Sequence, residues 1–308
     1  MSTTSSNRTG LIDPWGALAC AAAAMLFAAK GIFAKKLYAQ GLSFEGVVAI
    51  RAMISLPLFW WFALRRESLS VIATTPPRAI AVAAFAGALC YYAGALLDFL
   101  ALTMIEASIE RVLIFSYPAM VVIFTSVRDR RWPAPRVLAA TLLTYLGIFF
   151  TIGGFDLAEL RANLLGALLV IGSALSYAIY FMVSETYTRS VGSARFTLIA
   201  MTAATACLVP HYFLINGTQE LTAIDSSGWW LLIGIAVFCM FLPASFQAEG
   251  VRRIGAERGA VLSTVGPPTT VLLAFTLLEE RLSAWQWTGM ALIVLGILVL
   301  DLARTRKS

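Results

Sequence analysis

Five charged side chains lie inside long apolar runs of the sequence, where charge is rare. In chain order they are Lys30, Arg51, Asp98, Glu110 and Arg111. A cation in such a setting can attract a carboxylate, and a buried carboxyl group can exchange protons near neutral pH. Charge inside a hydrocarbon core costs about 2.5–3.5 kcal/mol per residue on insertion scales, so these positions are candidates for ligand binding or coupling.

Each of these residues has a functional and a structural interpretation. We predict that Lys30 and Arg51 attract a substrate carboxylate, with Glu110 as counter-ion or proton carrier. Arg111 and Asp98 are further counter-ion candidates. As alternatives, Lys30 could extend to the outer membrane interface, Arg51 could pair with Glu110 or Asp98, and Glu110 could be a plain interface charge. Arg111 and Asp98 could hold neighbouring helices in register.

The composition is that of an integral membrane protein. Hydrophobic residues make up 59% of the 308 residues, charged residues 13%, and the mean hydropathy is +0.81. Soluble domains are typically about 45–50% apolar and about 25% charged. The apolar runs do not alternate, so they predict helices of about 20 residues and not barrel strands. The net charge of +6 resides in short connectors, where arginine indicates topology and not nucleic-acid binding.

The runs fit ten transmembrane helices, so we expect an all-α integral membrane fold. Their approximate bounds are 15–38, 44–64, 79–102, 107–127, 136–154, 163–184, 195–215, 228–249, 257–278 and 284–302. Lysine and arginine concentrate in alternate connectors, about 16 against 4, which predicts that both chain ends are cytoplasmic. The predicted location is a multi-pass position in the bacterial inner membrane.

The sequence also repeats itself. Without a gap, 105–148 lies over 254–297, so that Pro118 meets Pro267. A repeat unit of five helices forces the second copy to enter from the opposite membrane face, which makes the repeat inverted. Inverted repeats are typical of secondary transporters, whose substrate site lies near the midplane between the halves. We therefore predict two inverted five-helix repeats around a central cavity.

The predicted organisation has four parts. Residues 1–13 form a disordered cytoplasmic tail, 14–155 the first repeat, 156–303 the second repeat, and 304–308 a basic cytoplasmic tail. The five charges inside spans all lie in the first repeat, and the matching positions of the second are uncharged. A purely structural role would more naturally appear in both copies, so the asymmetry indicates a ligand-binding side.

Hydroxyl groups form a stripe along the sixth predicted span. Ser173, Ser176, Tyr177 and Tyr180 are spaced so that they share one face of a helix. We predict that Ser176, Tyr177 and Tyr180 line the substrate site, together with Tyr91 of the third span. Hydrogen bonding between helices through the same groups is the alternative.

Prolines occupy matching places in the fourth and ninth spans. Pro118 has its counterpart at Pro267, which is followed by Pro268. Proline removes a backbone donor and bends a helix. Bends at equivalent positions could act as gates, and a fixed bend that shapes the bundle is the alternative.

The same two spans carry the residues by which the chain resembles a known family. They are 107–118 (Ala-Ser-Ile-Glu-Arg-Val-Leu-Ile-Phe-Ser-Tyr-Pro), 256–267 (Ala-Glu-Arg-Gly-Ala-Val-Leu-Ser-Thr-Val-Gly-Pro) and 278–282 (Leu-Glu-Glu-Arg-Leu). These segments resemble the drug/metabolite transporter superfamily, and within it the ten-helix EamA-type exporters, over about 15–302. The last segment looks like the family's Gly-Glu-Arg-Leu signature with Glu279 in place of glycine. Arg51 looks like an arginine that many relatives keep early in the second span.

The resemblance implies a basket-shaped fold with a central cavity, lined mainly by spans other than the fifth and tenth. It also implies export of amino acids or similar metabolites, driven by an ion gradient or by exchange. We therefore expect two EamA-type repeats that form a secondary transporter of carboxylate-bearing compounds working by alternating access. The expected partners are a small-molecule substrate, membrane lipids and a coupling proton, with a homodimer as an option.

The main alternative is a membrane-embedded enzyme that acts on a lipid or lipid-linked substrate. The sequence lacks the catalytic motifs that such an enzyme would need, so we expect no enzymatic activity. It contains one histidine and four cysteines without metal-ligand spacing, and it therefore implies no metal site and no cofactor.

Overall fold

The computed structural model describes residues 13–68, 74–128, 130, 135–254, 262 and 265–305. Helices, turns and connectors make up this part of the chain, which contains no β-strand. Six helices are long and apolar enough to cross a membrane, namely Pro14–Ala39, Phe44–Arg66, Pro77–Ala101, Leu157–Ser184, Ala194–Asn216 and Ser226–Gln247. The predicted all-α membrane architecture is confirmed at this level. The predicted tails at 1–12 and 306–308, and most of 255–264, lie outside the described residues.

The first half of the chain contains eight described α-helices and one π-helical segment. They are α1 (Pro14–Ala28), α2 (Lys30–Ala39), α3 (Phe44–Arg66), α4 (Pro77–Gly87), π1 (Ala88–Gly94), α5 (Ala95–Ala101), α6 (Ala107–Ile114), α7 (Tyr117–Arg128) and α8 (Pro135–Thr151). The helices described in the second half are α9 (Leu157–Val191), α10 (Ser193–Asn216), α11 (Gln219–Ala223), α12 (Ser226–Ala236), π2 (Val237–Phe241), α13 (Leu242–Ile254), α14 (Gly266–Leu277) and α15 (Ala284–Thr305).

Helices of the two halves begin at matching positions. Helices α3 and α10 begin at Phe44 and Ser193, and α7 and α14 begin at Tyr117 and Gly266; each pair is 149 positions apart. The π-helical segments π1 and π2 begin with the same separation. A π-helical turn is uncommon and is often found at functional sites. Its presence at equivalent places indicates that the two halves share a local backbone pattern as well as a sequence pattern.

Two predicted spans are broken where the sequence suggested continuous helices. A turn at Ala29 separates α1 from α2, and the Ala29 N–H bonds to the carbonyl of Leu26 instead of continuing the α-helical ladder. A second turn, at Phe115 and Ser116, separates α6 from α7. Both breaks create short helices whose ends lie inside the bundle.

Helices α8 and α15 pack closely through glycine. A Cβ added at Gly289 would stand 2.3 Å from the backbone nitrogen of Thr151, and one at Gly147 would stand 2.6 Å from the side chain of Ile293. Small residues allow helix backbones to approach in this way inside a membrane. The fifth and tenth predicted spans therefore form a tight pair.

Carboxylates of the second half cap helices of the first half. Glu280 accepts hydrogen bonds from the N–H groups of Ala107 and Ser108, at 2.8 and 3.2 Å, and from the Ser108 hydroxyl at 2.8 Å. Glu220 accepts hydrogen bonds from the N–H and the hydroxyl of Ser43, at 2.6 and 3.0 Å. These contacts join the two halves at the starts of α6 and α3.

Candidate functional site

Three of the predicted charges form one buried cluster. The Lys30 ammonium contacts the carboxylate of Asp98 and lies 3.1 Å from a carboxylate oxygen of Glu110. The exposed fractions of the three residues are 3%, 3% and 1%. A buried charge is tolerated only when it is paired and hydrogen-bonded. In this cluster one cation is matched by two acids.

The broken helices bring these side chains together. Lys30 is the first residue of α2, directly after the turn that ends α1. Next to it, Gly31 lies against α6, because a Cβ added there would stand only 2.9 Å from the Cβ of Ala107. This close approach places Lys30 beside Glu110, one turn further along α6. Asp98 reaches the same point from α5.

Arg51 and Arg111 are buried without an acidic partner. Their exposed fractions are 7% and 4%, and within the described residues no carboxylate forms an ion pair with either guanidinium. The Arg51 guanidinium lies 4.2 Å from the ring centre of Phe99. The Arg111 guanidinium lies 4.8 and 5.1 Å from the ring centres of Phe27 and Phe115. Contact with aromatic faces offsets part of the desolvation of both cations.

The positions of these charged side chains test the structural alternatives given for Lys30, Arg51 and Glu110. Lys30 does not extend to the membrane interface, because its acidic partners hold it in the interior. Arg51 does not pair with Asp98 or Glu110, although Asp98 lies within electrostatic range of all three cations. Glu110 is not an interface charge, since it is almost completely buried. The role of each residue in substrate binding or coupling stays a prediction.

Part of the predicted hydroxyl stripe belongs to an aromatic contact between helices. Tyr91 of π1 lies edge-on against Tyr180 and Tyr177 of α9, with ring centres 5.0 and 6.4 Å apart. Ser176 is buried and donates its hydroxyl hydrogen to the carbonyl of Ser173 at 2.7 Å. This bond lies within α9, so it does not test hydrogen bonding between helices, and the role of Ser176 in lining the site stays a prediction.

Tyr177 is the member of the stripe that lies nearest the charges. Its side chain is partly exposed, and its hydroxyl lies within electrostatic range of both Arg51 and Arg111. Cys239 of π2 is within electrostatic range of the same two arginines and of Lys30. The second half of the chain therefore contributes neutral groups beside the cations of the first half.

The predicted prolines lie at the starts of helices. Pro118 is the second residue of α7, and Pro267 and Pro268 are the second and third residues of α14. Proline fits the first turn of a helix because the N–H groups there have no partner within the helix. The break in the fourth predicted span lies earlier, at Phe115 and Ser116. The break lies just before Pro118, and a role of the three prolines in gating stays a prediction.

A polar cavity of about 390 Å³ lies where the connectors after α5 and α14 meet the first turns of α9. Its charged lining residues are Lys35, Glu106, Glu159 and Arg281. Burial, and next the charge of Glu280, raises the pKa of Glu106 to about 7, against the opposing effect of Lys35. Glu106 precedes Glu110 by one helical turn, so the cavity adjoins the N-terminal end of the helix that carries Glu110.

Sequence reasoning did not single out Glu280, although it lies in the Leu-Glu-Glu-Arg-Leu segment. Its carboxylate caps α6 and also lies 3.8 Å from the Lys35 ammonium.

The preceding residue, Glu279, has a φ of +57°, a left-handed conformation that glycine adopts without strain. This conformation explains why the family signature carries glycine at this position.

A family model described as the EamA-like transporter family matches residues 14–153 and again 164–301. A transporter of Bacillus subtilis (strain 168), YcbK, described as uncharacterized, is 32% identical over 273 residues, which cover 85% of each protein. YwfM of the same organism, also described as an uncharacterized transporter, is 27% identical over 54% of this chain and 55% of its own.

A solved structure, described as "Crystal structure of protein", supports the fold. It superposes with a TM-score of 0.64 at 18% identity and covers 94% of this chain and 98% of its own. The two matches of the family model together span most of the chain. On this evidence the chain belongs to the EamA-like transporter family.

Proposed function

We propose that the chain is a secondary transporter that carries small carboxylate-bearing metabolites, amino acids among them, across the bacterial inner membrane. The observation that carries this proposal is the set of five buried charges at positions within the predicted membrane spans. Ionisable residues inside membrane spans are energetically costly and typically mark a substrate or ion pathway. Membership of a transporter family supports the same conclusion.

The proposed architecture is ten spans in two inverted five-helix repeats, 14–155 and 156–303, around a central cavity. The double match of the family model and the equal separation of paired helix starts support two copies. A five-helix unit makes the second copy inverted, and inverted repeats can open a central site to each membrane face in turn. Both chain ends would then be cytoplasmic, and the proposed direction of transport is export.

Within this proposal Arg51 binds the substrate carboxylate and Tyr177 contacts the substrate from the opposite half. A guanidinium is suited to this task because its planar donors match the two oxygens of a carboxylate. Lys30, the second predicted ligand, is already held by Asp98 and Glu110. We assign these three residues to coupling, with Glu110 carrying the proton.

The test is counterflow in proteoliposomes that contain the purified full-length chain. Vesicles are loaded with a mixture of amino acids and organic acids, and entry of each radiolabelled compound is followed. Saturable counterflow is expected for at least one compound, and Arg51→Gln is expected to lower its rate at least tenfold because the carboxylate loses its ligand. Arg51→Lys, which keeps the charge, is expected to retain part of the rate.

Thermal unfolding and gel filtration in detergent serve as folding controls for both variants. Unchanged counterflow in Arg51→Gln would remove this residue from the site. Failure of every compound to exchange, together with chemical conversion of a lipid-linked substrate, would replace the transporter by the enzyme alternative. A net flux of substrate that does not change when a pH gradient is imposed would exclude coupling of transport to protons.

A further inference from the structure

The buried charges of the bundle do not balance. Lys30, Arg51 and Arg111 supply three positive charges, whereas Asp98 and Glu110, the acids of the same cluster, supply at most two negative ones. The third buried acid, Glu280, caps α6 and lies 3.8 Å from the Lys35 ammonium, which balances its charge. Asp98 and Glu110 are both in contact with Lys30, so neither arginine shares them directly. An uncompensated charge in a medium of low dielectric constant is strongly unfavourable. At least one positive charge in the interior therefore lacks a protein counter-charge within the described residues.

Both buried arginines have an unused hydrogen-bond donor. Arg51 and Arg111 lie over aromatic rings, and the Nε of each is buried without a hydrogen-bond partner. The Phe99 ring that contacts Arg51 also lies 5.5 Å from the Lys30 ammonium, and the Phe27 ring that contacts Arg111 lies 5.8 Å from it. Both arginines are therefore grouped around Lys30 in one region of the interior, and the Nε donor of each is free there.

The surroundings of Arg111 increase the positive potential. Gly266 begins the twelve-residue helix α14, and a Cβ added there would stand 2.9 Å from an Nη atom of Arg111. A helix N-terminus carries a partial positive charge, which adds to that of the guanidinium. Glycine at this position allows the guanidinium to lie directly against the helix start.

From the unbalanced charge and the free donors, we infer that Arg51 and Arg111 form a binding site for an anion with net negative charge. The site prefers a carboxylate anion to the zwitterionic amino acid of the same skeleton. This inference rests on the proposed function and narrows its substrate class. A monoanion cancels the excess charge when both acids are ionised, whereas a zwitterion leaves the total unchanged.

The amino group of a zwitterion also finds little to bind. Within the described residues, Oδ1 of Asp98 is a fully buried carboxylate oxygen of the cluster without a hydrogen-bond partner. An ammonium group placed there would lie close to the Lys30 ammonium, which contacts the other oxygen of the same carboxylate. Repulsion between the two cations disfavours this pose.

The test measures thermal stabilisation of the purified full-length chain by three matched pairs of compounds. The pairs are propionate and L-alanine, 4-methylpentanoate and L-leucine, and 3-phenylpropionate and L-phenylalanine, with ionic strength held constant by sodium chloride. In at least one pair the anion is expected to raise Tm, with a half-maximal concentration at least tenfold below that of the amino acid. The amides of the three carboxylates without an amino group, such as propionamide, serve as neutral controls and are expected to have no effect.

Two variants of Arg111 test whether its positive charge causes the preference for the anion over the amino acid. Arg111→Gln removes the excess positive charge. It is expected to reduce at least fivefold the ratio of the half-maximal concentrations of amino acid and anion, and to raise the Tm measured without ligand. Arg111→Lys keeps the charge and is expected to keep most of the discrimination. An altered ligand-free Tm with unchanged discrimination would limit Arg111 to a structural role and overturn the inference.

The remaining outcomes separate this inference from the proposed function. Amino acids that bind as tightly as their anions overturn the inference, and saturable counterflow of those amino acids would leave the transporter assignment in place. Binding of none of the six compounds also overturns it. Tight binding of an anion without counterflow of any compound would support the anion site and contradict the transporter.

Discussion

The Lys30 ammonium lies between two carboxylates, whereas Arg51 and Arg111 lie against aromatic rings. This division follows from the chemistry of the two cations. An ammonium group is compact and strongly hydrated, so burial requires strong acceptors in its place. A guanidinium group is planar and more weakly hydrated, and it can stack on an aromatic face while keeping in-plane donors free. Arginine can therefore be buried without an acidic partner and still have donors available for an anionic ligand.

Glu106 provides a prediction about pH, because it lies in a connector and its pKa is raised from 4.5 to about 7. The folded chain holds this proton more tightly than the unfolded chain does. The resulting stability is present below pH 4.5 and is lost as the pH rises through about 7. Glu106→Gln is therefore expected to be more stable than the parent at pH 8 and similar to it at pH 4.

The measurement is thermal unfolding in detergent between pH 4 and pH 8.5. The parent Tm should fall across this window more steeply than that of Glu106→Gln. Parallel pH profiles of the two proteins would show that Glu106 does not hold its proton in the folded state.

Helix α6 is short, yet it carries Glu110 and Arg111 and is completely buried over its eight residues. Its N-cap residue is Glu106, whose side chain makes no capping hydrogen bond. The cap comes instead from Glu280, which is distant in sequence and belongs to the connector before α15. The position of the charge cluster therefore depends on a contact between the two halves of the chain.

This dependence predicts the effect of removing the cap. Glu280→Ala is expected to destabilise the chain by about 1–2 kcal/mol, because two backbone N–H groups lose their acceptor. Thermal or denaturant unfolding in detergent measures the loss. Glu280→Gln keeps one side-chain carbonyl acceptor and should lie between Glu280→Ala and the parent. Glu279→Gln changes the exposed neighbour and should behave like the parent.

A destabilisation of Glu279→Gln as large as that of Glu280→Ala would mean that the connector matters as a whole. The capping contact would then not be the cause. An unchanged Glu280→Ala would show that α6 is held by its packing against other helices alone.

At the scale of the whole molecule, the scaffold is doubled and the charges are not. Paired helices begin 149 positions apart, as Phe44 and Ser193 do, and the two π-helical segments fall on the same spacing. The helices that carry Lys30, Asp98 and Glu110 all belong to the first half. Two similar scaffolds can thus provide the moving framework, while one of them holds the charged groups.

The proposed inversion makes a direct prediction about topology. Ser68 follows α3 and Thr218 follows the matching helix α10, so inverted repeats place them on opposite membrane faces. In a chain without its native cysteines, Thr218→Cys is expected to react with a membrane-impermeant maleimide added to intact cells. Ser68→Cys is expected to react only after the membrane is permeabilised. Reaction of both variants from the same side would contradict the inverted repeat and the carrier built on it.

Much of the framework follows from the sequence. The apolar runs locate the membrane helices, because a segment of about 20 apolar residues has no other stable environment. The same physics isolates the five buried charges, since each stands out against an apolar background. The family resemblance, carried mainly by 107–118 and 256–267, is confirmed by the match of the family model to both halves.

The sequence by itself therefore determined the membrane class, the family and the residues to suspect. Only the tertiary structure decided which charge meets which partner. Helix breaks at Ala29 and at Phe115 are local backbone events that hydropathy does not record, yet they set the approach of α2 to α6. The pairing of Lys30 with Asp98 and Glu110 follows from that approach. Electrostatic energy depends on distances between side chains, and those distances exist only once the helices have packed.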